Sequence, residues 1–215
     1  MAIGAALLAF PAAPAAAQNS PCAGVPEGEY QIAVVKDVPA PRLNHELRRS
    51  EIGELTFHGP HNSVLGLATS QLEVEYDAAF RYMPAGDGFC FWTDRVTVTL
   101  RYHAFDVYVA AEYAAGSCPY NAILAHELRH VDVAHKHLDY YTPNIKGALT
   151  SLNIPTARTP TLVASPDLAQ AETLDRIGEL LRPPVEVMQQ AMIAAQEVVD
   201  SPKSYRQVRD QCADW

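Results

Sequence analysis

The chain has 215 residues, 48% of them apolar, and a formal net charge of −9. That length supports one domain with a substantial core and is short for two. The acidic balance, with no basic cluster, argues against nucleic acid and anionic membrane surfaces as partners.

Residues 1–17 (MAIGAALLAFPAAPAAA) contain no charge, an apolar run and a small-residue stretch ending in three alanines. This pattern predicts a secretory signal peptide cleaved after Ala17, too short to span a bilayer, so that residues 18–215 form the folded domain. The four cysteines, Cys22, Cys90, Cys118 and Cys212, agree with export. Their even number and the lack of a C-x-x-C pair predict two disulfides in an oxidising compartment. Sequence leaves three connectivities open, with a preference for Cys118 in a bridge that would anchor the following helix.

From residue 29 the chain is β-rich. Residues 29–36 read as a strand, 43–55 as a helix weakened by Gly53, and 58–61 (HGPH) as a turn whose two histidines are a lesser metal candidate. Residues 71–76, 80–83, 89–92, 96–102 and 107–113 then read as strands pairing in an antiparallel sheet. The alternation over 96–102 is that of a half-buried strand.

Residues 118–137 (CPYNAILAHELRHVDVAHKH) carry the chemistry. Ser117 is a natural N-cap, Pro119 suits the first turn, and no Gly or Pro follows until Pro143. Ile123, Leu124, Leu128, Val131 and Leu138 form an apolar stripe, so a helix is predicted over about 119–141. On it His126 and His130 share a face, and Glu127 lies beside them. Two imidazoles aimed at one point, with a carboxylate in reach of a metal's water, make an H-E-x-x-H zinc arrangement. The plain alternative is a solvated helix face on which these residues meet by chance.

After residue 141, helices are predicted from Pro143 to about 152, from the Ser165–Pro166 start to about 181, where Pro183 and Pro184 stop it, and on to about 199. A short terminal helix restarts at Ser201–Pro202 and carries Cys212.

A β-rich half leading into the H-E-x-x-H helix and then more helices resembles the zincin metallopeptidases. It is similar in particular to small exported bacterial proteins assigned as zinc-dependent proteases without a known substrate. The resemblance rests on residues 125–131 and the coarse element order. It implies an α+β zincin-like fold and hydrolysis of protein or peptide substrates, with Glu127 as general base; the short leader and the acidic charge separately predict no stable insertion in a membrane.

The chain departs from the pattern at Arg129 and Asp132, where such peptidases carry uncharged and apolar residues. Zinc requires a third ligand. Where one zincin class places a further His, this chain has Lys136; His135 lies about 140° round the helix and His137 about 10 Å along it. Another class takes a Glu from a later helix. Glu172 is the foremost candidate there, with Asp175 as a hydrogen-bonding support, Glu179 next, and His103 as a further alternative. For the oxyanion donor, Tyr102, His103, Tyr113 and Tyr140 stand equal.

The competing expectation is a non-catalytic zincin-like module of the cell envelope, binding zinc structurally or binding a partner, with Arg129 crowding the site. A weaker one is a metal-buffering protein that uses its eight histidines. Sequence leaves the oligomeric state undetermined.

Overall fold

The computed structural model describes residues 20–56 and 64–215; the predicted signal segment and the predicted turn at 58–61 lie outside the described residues. The elements run β1 (Gln31–Asp37), β2 (Arg42–Asn44), α1 (Arg49–Glu54), β3 (Gly66–Ala85), β4 (Gly88–Val109), α2 (Cys118–Thr150), β5 (Thr161–Val163), α3 (Pro166–Val199) and α4 (Pro202–Arg209). The architecture is α+β, one five-stranded sheet against helices.

The sheet is built around β4. Strand β3 runs antiparallel along one of its edges, from Gly66 opposite Val109 to Ala85 opposite Gly88. The other edge is shared end to end by β5, β1 and β2. The five short strands read from sequence are thus largely two long ones, of 20 and 22 residues. Hairpin pairing carries the backbone through polar steps such as Thr93–Asp94 that look like breaks in isolation. Gly86, at φ +57°, opens the two-residue turn, a conformation that favours glycine.

Two further expectations are corrected. Strands β1 and β2 lie parallel to β4, so the sheet is mixed. Residues 43–55 are not one helix: Arg42–Asn44 pairs with β4, Arg42 grips Asp106 with two hydrogen bonds of 2.8 and 2.9 Å, and helix begins only at Arg49.

Val96, Val98, Leu100 and Tyr102 alternate into the core. A bulge opposite residues 70–72 of β3 adds one residue to β4, and the buried positions continue at Phe105 and Val107. This face packs on Val131, Ala134, Leu138, Ile145 and Leu149 of α2 and on Ile177, Leu181 and Met188 of α3. Leu128 departs from the expected stripe and is 36% exposed.

Helices α2 and α3 have 33 and 34 residues, so each is about 50 Å long, and neither stops at its internal prolines. Pro143 removes the bond to the Asp139 carbonyl, and Pro183 that to Glu179; both acceptors belong to exposed residues and can turn to water. Buried leucines and isoleucines on either side hold the axis. The two helices are antiparallel: His130 meets Gln196 at one end, and Arg176 bonds the Asn153 carbonyl at the other.

The disulfides are Cys22–Cys90 and Cys118–Cys212. The second ties the first residue of α2 to the segment after α4. Two disulfides suit an oxidising, extracytoplasmic setting. No helix among the described residues is long and apolar enough to cross a membrane.

Candidate metal centre

Helix α2 starts where the sequence places its cap. Gly116 turns the chain at φ +79°, and Ser117 Oγ accepts the Tyr120 N–H at 3.2 Å. Nine residues on, His126 and, one turn later, His130 turn their rings towards the end of α3. There Asp200 occupies the C-cap of α3, one residue before Ser201 caps α4. The antiparallel register decides the meeting, since 130 opposite 196 puts 126 opposite 200.

Asp200 Oδ1 lies 3.2 Å from His126 Nε2 and 3.1 Å from His130 Nε2. One ligand atom from each of His126, His130 and Asp200 falls within 4.8 Å of the others, so the group could hold a metal ion. At metal–nitrogen bonds of about 2.0–2.1 Å, tetrahedral ligands sit roughly 3.3 Å apart, close to the two distances that Asp200 makes to the histidines. Two imidazoles and one carboxylate also leave a fourth position open, as catalytic zinc sites do.

The two histidines have different supports. Gln196 Nε2 donates to the His130 carbonyl at 3.0 Å, which orients its Oε1 to accept the Nδ1–H of His130. That commits Nδ1 and turns His130 Nε2 to Asp200, where it shares a proton when no metal is bound and is the nitrogen that would ligate once a metal displaced that proton; such outer support is usual for a ligating histidine. Burial acts to lower the His130 pKa, but hydrogen bond and charge from Asp200, with Gln196 and Glu127, carry it above its ordinary value. Burial would raise Asp200; the two imidazoles and the Tyr205 hydroxyl overcome this and hold it well below the usual carboxylate range. His126 instead receives Arg129, whose Nη2 donates to Nδ1 at 2.7 Å and to Ser204 Oγ at 3.1 Å.

Glu127 is 6% exposed, and burial pushes its pKa up to about 8 against the pull of His130. It accepts a backbone N–H from Ala68 of β3. The strand comes this close because residue 66 is glycine: a Cβ there would stand 2.6 Å from Ile123 Cγ2 and 2.8 Å from Glu127 Oε1.

Tyr205, on α4, stacks on His126 with ring centroids 5.1 Å apart and donates to Asp200 Oδ1 at 3.0 Å. Two cavities meet at these residues. One, of about 410 Å³, lies between His126, Glu127 and Tyr205 and the apolar side chains Val64, Leu65, Ile123 and Val208. The other, of about 500 Å³, reaches from Glu127, His130 and Asp200 along the start of β3.

Among the predicted site residues, His126, Glu127 and His130 come together, and Glu172 does not join them. It stands 28 positions before Asp200 on the same helix, about 42 Å along the axis, beside Asn153, Ile154 and Arg176. Glu179 fails for the same reason at about 32 Å. His103 faces Glu73 at 2.8 Å, and His137 bonds the Val133 carbonyl at 2.8 Å. His135 packs edge-on against Phe105.

The four oxyanion candidates lie elsewhere. Tyr102 is buried against Met192, His103 belongs to Glu73, Tyr113 meets Trp215, and Tyr140 is 71% exposed. Asp200 and Tyr205 escaped sequence reasoning. Their only signal was an acidic residue and a tyrosine flanking the Ser201–Pro202 helix start, within reach of a Cys118–Cys212 bridge. No family model, curated protein or solved structure matches the chain.

Proposed function

We propose that the protein is an exported zinc-dependent peptidase in which His126, His130 and Asp200 hold the metal and Glu127 is the general base. The observation that carries this reading is the convergence of two histidines and a carboxylate, their ligand atoms within 4.8 Å of one another, beside a buried glutamate where two cavities meet. Zinc held there would polarise the scissile carbonyl and make water nucleophilic near neutral pH.

Glu127, clamped between β3 and α2, takes the proton of the attacking water and returns it to the leaving amine. The Tyr205 hydroxyl, which donates to Asp200, is a donor beside the ligands that can turn to a developing oxyanion. The apolar lining of the first cavity suits an apolar side chain next to the cleaved bond. The two disulfides support export.

Metal content by mass spectrometry tests the ligand set. Wild type is expected to carry one zinc per chain, His130→Ala and Asp200→Ala none, and Glu172→Ala the wild-type amount. Glu127→Gln should keep zinc and lose peptide hydrolysis by roughly 10²–10⁴-fold. Undiminished turnover in that variant would remove Glu127 from the chemistry.

A second reading has its own observation. Arg129 saturates His126 with a cationic donor, and the His126–Asp200–His130 hydrogen bonds are complete without a metal. That arrangement would serve a non-catalytic envelope module, and wild type would then take up no zinc even when it is supplied.

A further inference from the structure

A guanidinium has no acceptor and only N–H donors, so the 2.7 Å contact between Arg129 Nη2 and His126 Nδ1 leaves Nδ1 a single role, that of acceptor. The proton of a neutral His126 ring then sits on Nε2 and points at Asp200 Oδ1, 3.2 Å away. Nε2 is also the ring nitrogen that stands beside Asp200 and so faces the group that could hold a metal, since Nδ1 is taken up by Arg129. His130 shows the opposite arrangement: Gln196 accepts from its Nδ1, so a metal that displaced the proton shared by its Nε2 and Asp200 Oδ1 would meet a ring already in the ligating tautomer.

We propose that Arg129 locks His126 in the tautomer that cannot bind metal, so that loading the site requires the guanidinium to release Nδ1. The inference rests on the reading of His126, His130 and Asp200 as metal ligands. To ligate through Nε2, the ring must carry its proton on Nδ1, where it would meet the Arg129 N–H donor to donor. Ligating histidines ordinarily give that proton to a carboxylate, a carbonyl or water.

Release is open to Arg129. It is exposed, and its contact with Ser204 Oγ at 3.1 Å gives the guanidinium a second partner on α4. The same bond couples the lock to the elbow that carries Asp200. Arg129 is thus a positioning residue that sets metal affinity, and its place inside H-E-L-R-H puts it one turn from the ring it controls.

The test uses metal-free, disulfide-intact protein titrated with zinc against a chromophoric chelator, for wild type, Arg129→Gln and Arg129→Met. Gln supplies an acceptor for Nδ1–H, and Met only removes the donor. Arg129→Gln is expected to bind zinc tighter by on the order of 10- to 100-fold and Arg129→Met by less. Nitrogen-15 NMR of the metal-free wild type should show His126 protonated on Nε2, a signature that a merely structural role for Arg129 would not set.

Equal or weaker binding by Arg129→Gln overturns the proposal, and so does an Nδ1–H tautomer in wild type. If the variants fail to fold, the tautomer alone decides. Zinc uptake by wild type with unchanged affinity in Arg129→Gln defeats only the lock. No uptake by any of them defeats the metal reading together with it.

Discussion

Gly66 and Glu127 meet where β3 crosses α2, and the distance between them leaves no room for a methyl group. Gly66→Ala is therefore expected to push the Glu127 carboxylate from the Ala68 N–H, with a cost of about 1–3 kcal/mol from overpacking. Chemical denaturation would measure the loss, and hydrolysis should fall while zinc content stays. A variant with wild-type stability and turnover would show that the strand retreats freely. At this scale the sequence was informative about three residues and silent about the fourth. His126, Glu127 and His130 share a helix turn, so spacing alone puts them on adjoining faces. Asp200 is 70 residues from His130, and its one local mark, a place just before the Ser201–Pro202 helix start, does not single it out as a ligand over Glu172.

At the scale of elements, prolines misled most. Each costs a helix one hydrogen bond, and a penalty of roughly 3 kcal/mol in an interior position reads as a stop. Here buried Leu181 and Met188 on one side and Ile145 and Leu149 on the other fasten α3 and α2 to the sheet, and the helices run on. Pro183→Ala is accordingly expected to stabilise the protein by about 2 kcal/mol, the helix penalty less the gain in unfolded-state freedom. A drop in urea midpoint would instead assign the ring a packing role. Leu181→Ala, in the stripe that bridges the prolines, should cost about 2–5 kcal/mol by the same measurement. This continuity also serves the site: only an α3 that passes Pro183 and Pro184 brings Asp200 to His126.

In the whole molecule the two disulfides have different work. Cys22–Cys90 fastens the N-terminal segment near the hairpin tip, and Cys118–Cys212 ties α2 to the chain beyond α4. Along β4, Cys90 is roughly 60 Å of strand from Val109, which pairs with Gly66 beside Glu127. Replacing either pair with serines should cost about 2–4 kcal/mol. Zinc affinity is expected to separate them: Cys118→Ser with Cys212→Ser loosens α4, Tyr205 and the Asp200 elbow and weakens binding, whereas Cys22→Ser with Cys90→Ser leaves it near wild type. Equal weakening by both would mean that the sheet, and not α4, supports the ligands.

By itself the sequence determined what depends on near neighbours: the capped start of α2, the histidine pair with its glutamate, the number of disulfides and the α+β character. Helix periodicity, capping and cysteine count are local or compositional, and no tertiary contact is needed to express them. Only the tertiary structure decided the merging of short strands into one long hairpin, the parallel pairing of β1 and β2, and the survival of α2 and α3 through their prolines. It also placed Asp200, and not Glu172, beside the two histidines and set Arg129 on His126. Each of these depends on which surfaces are buried together, and an antiparallel register between two 50 Å helices, about 50 Å by their residue counts, is a property of the packed pair that neither segment carries alone.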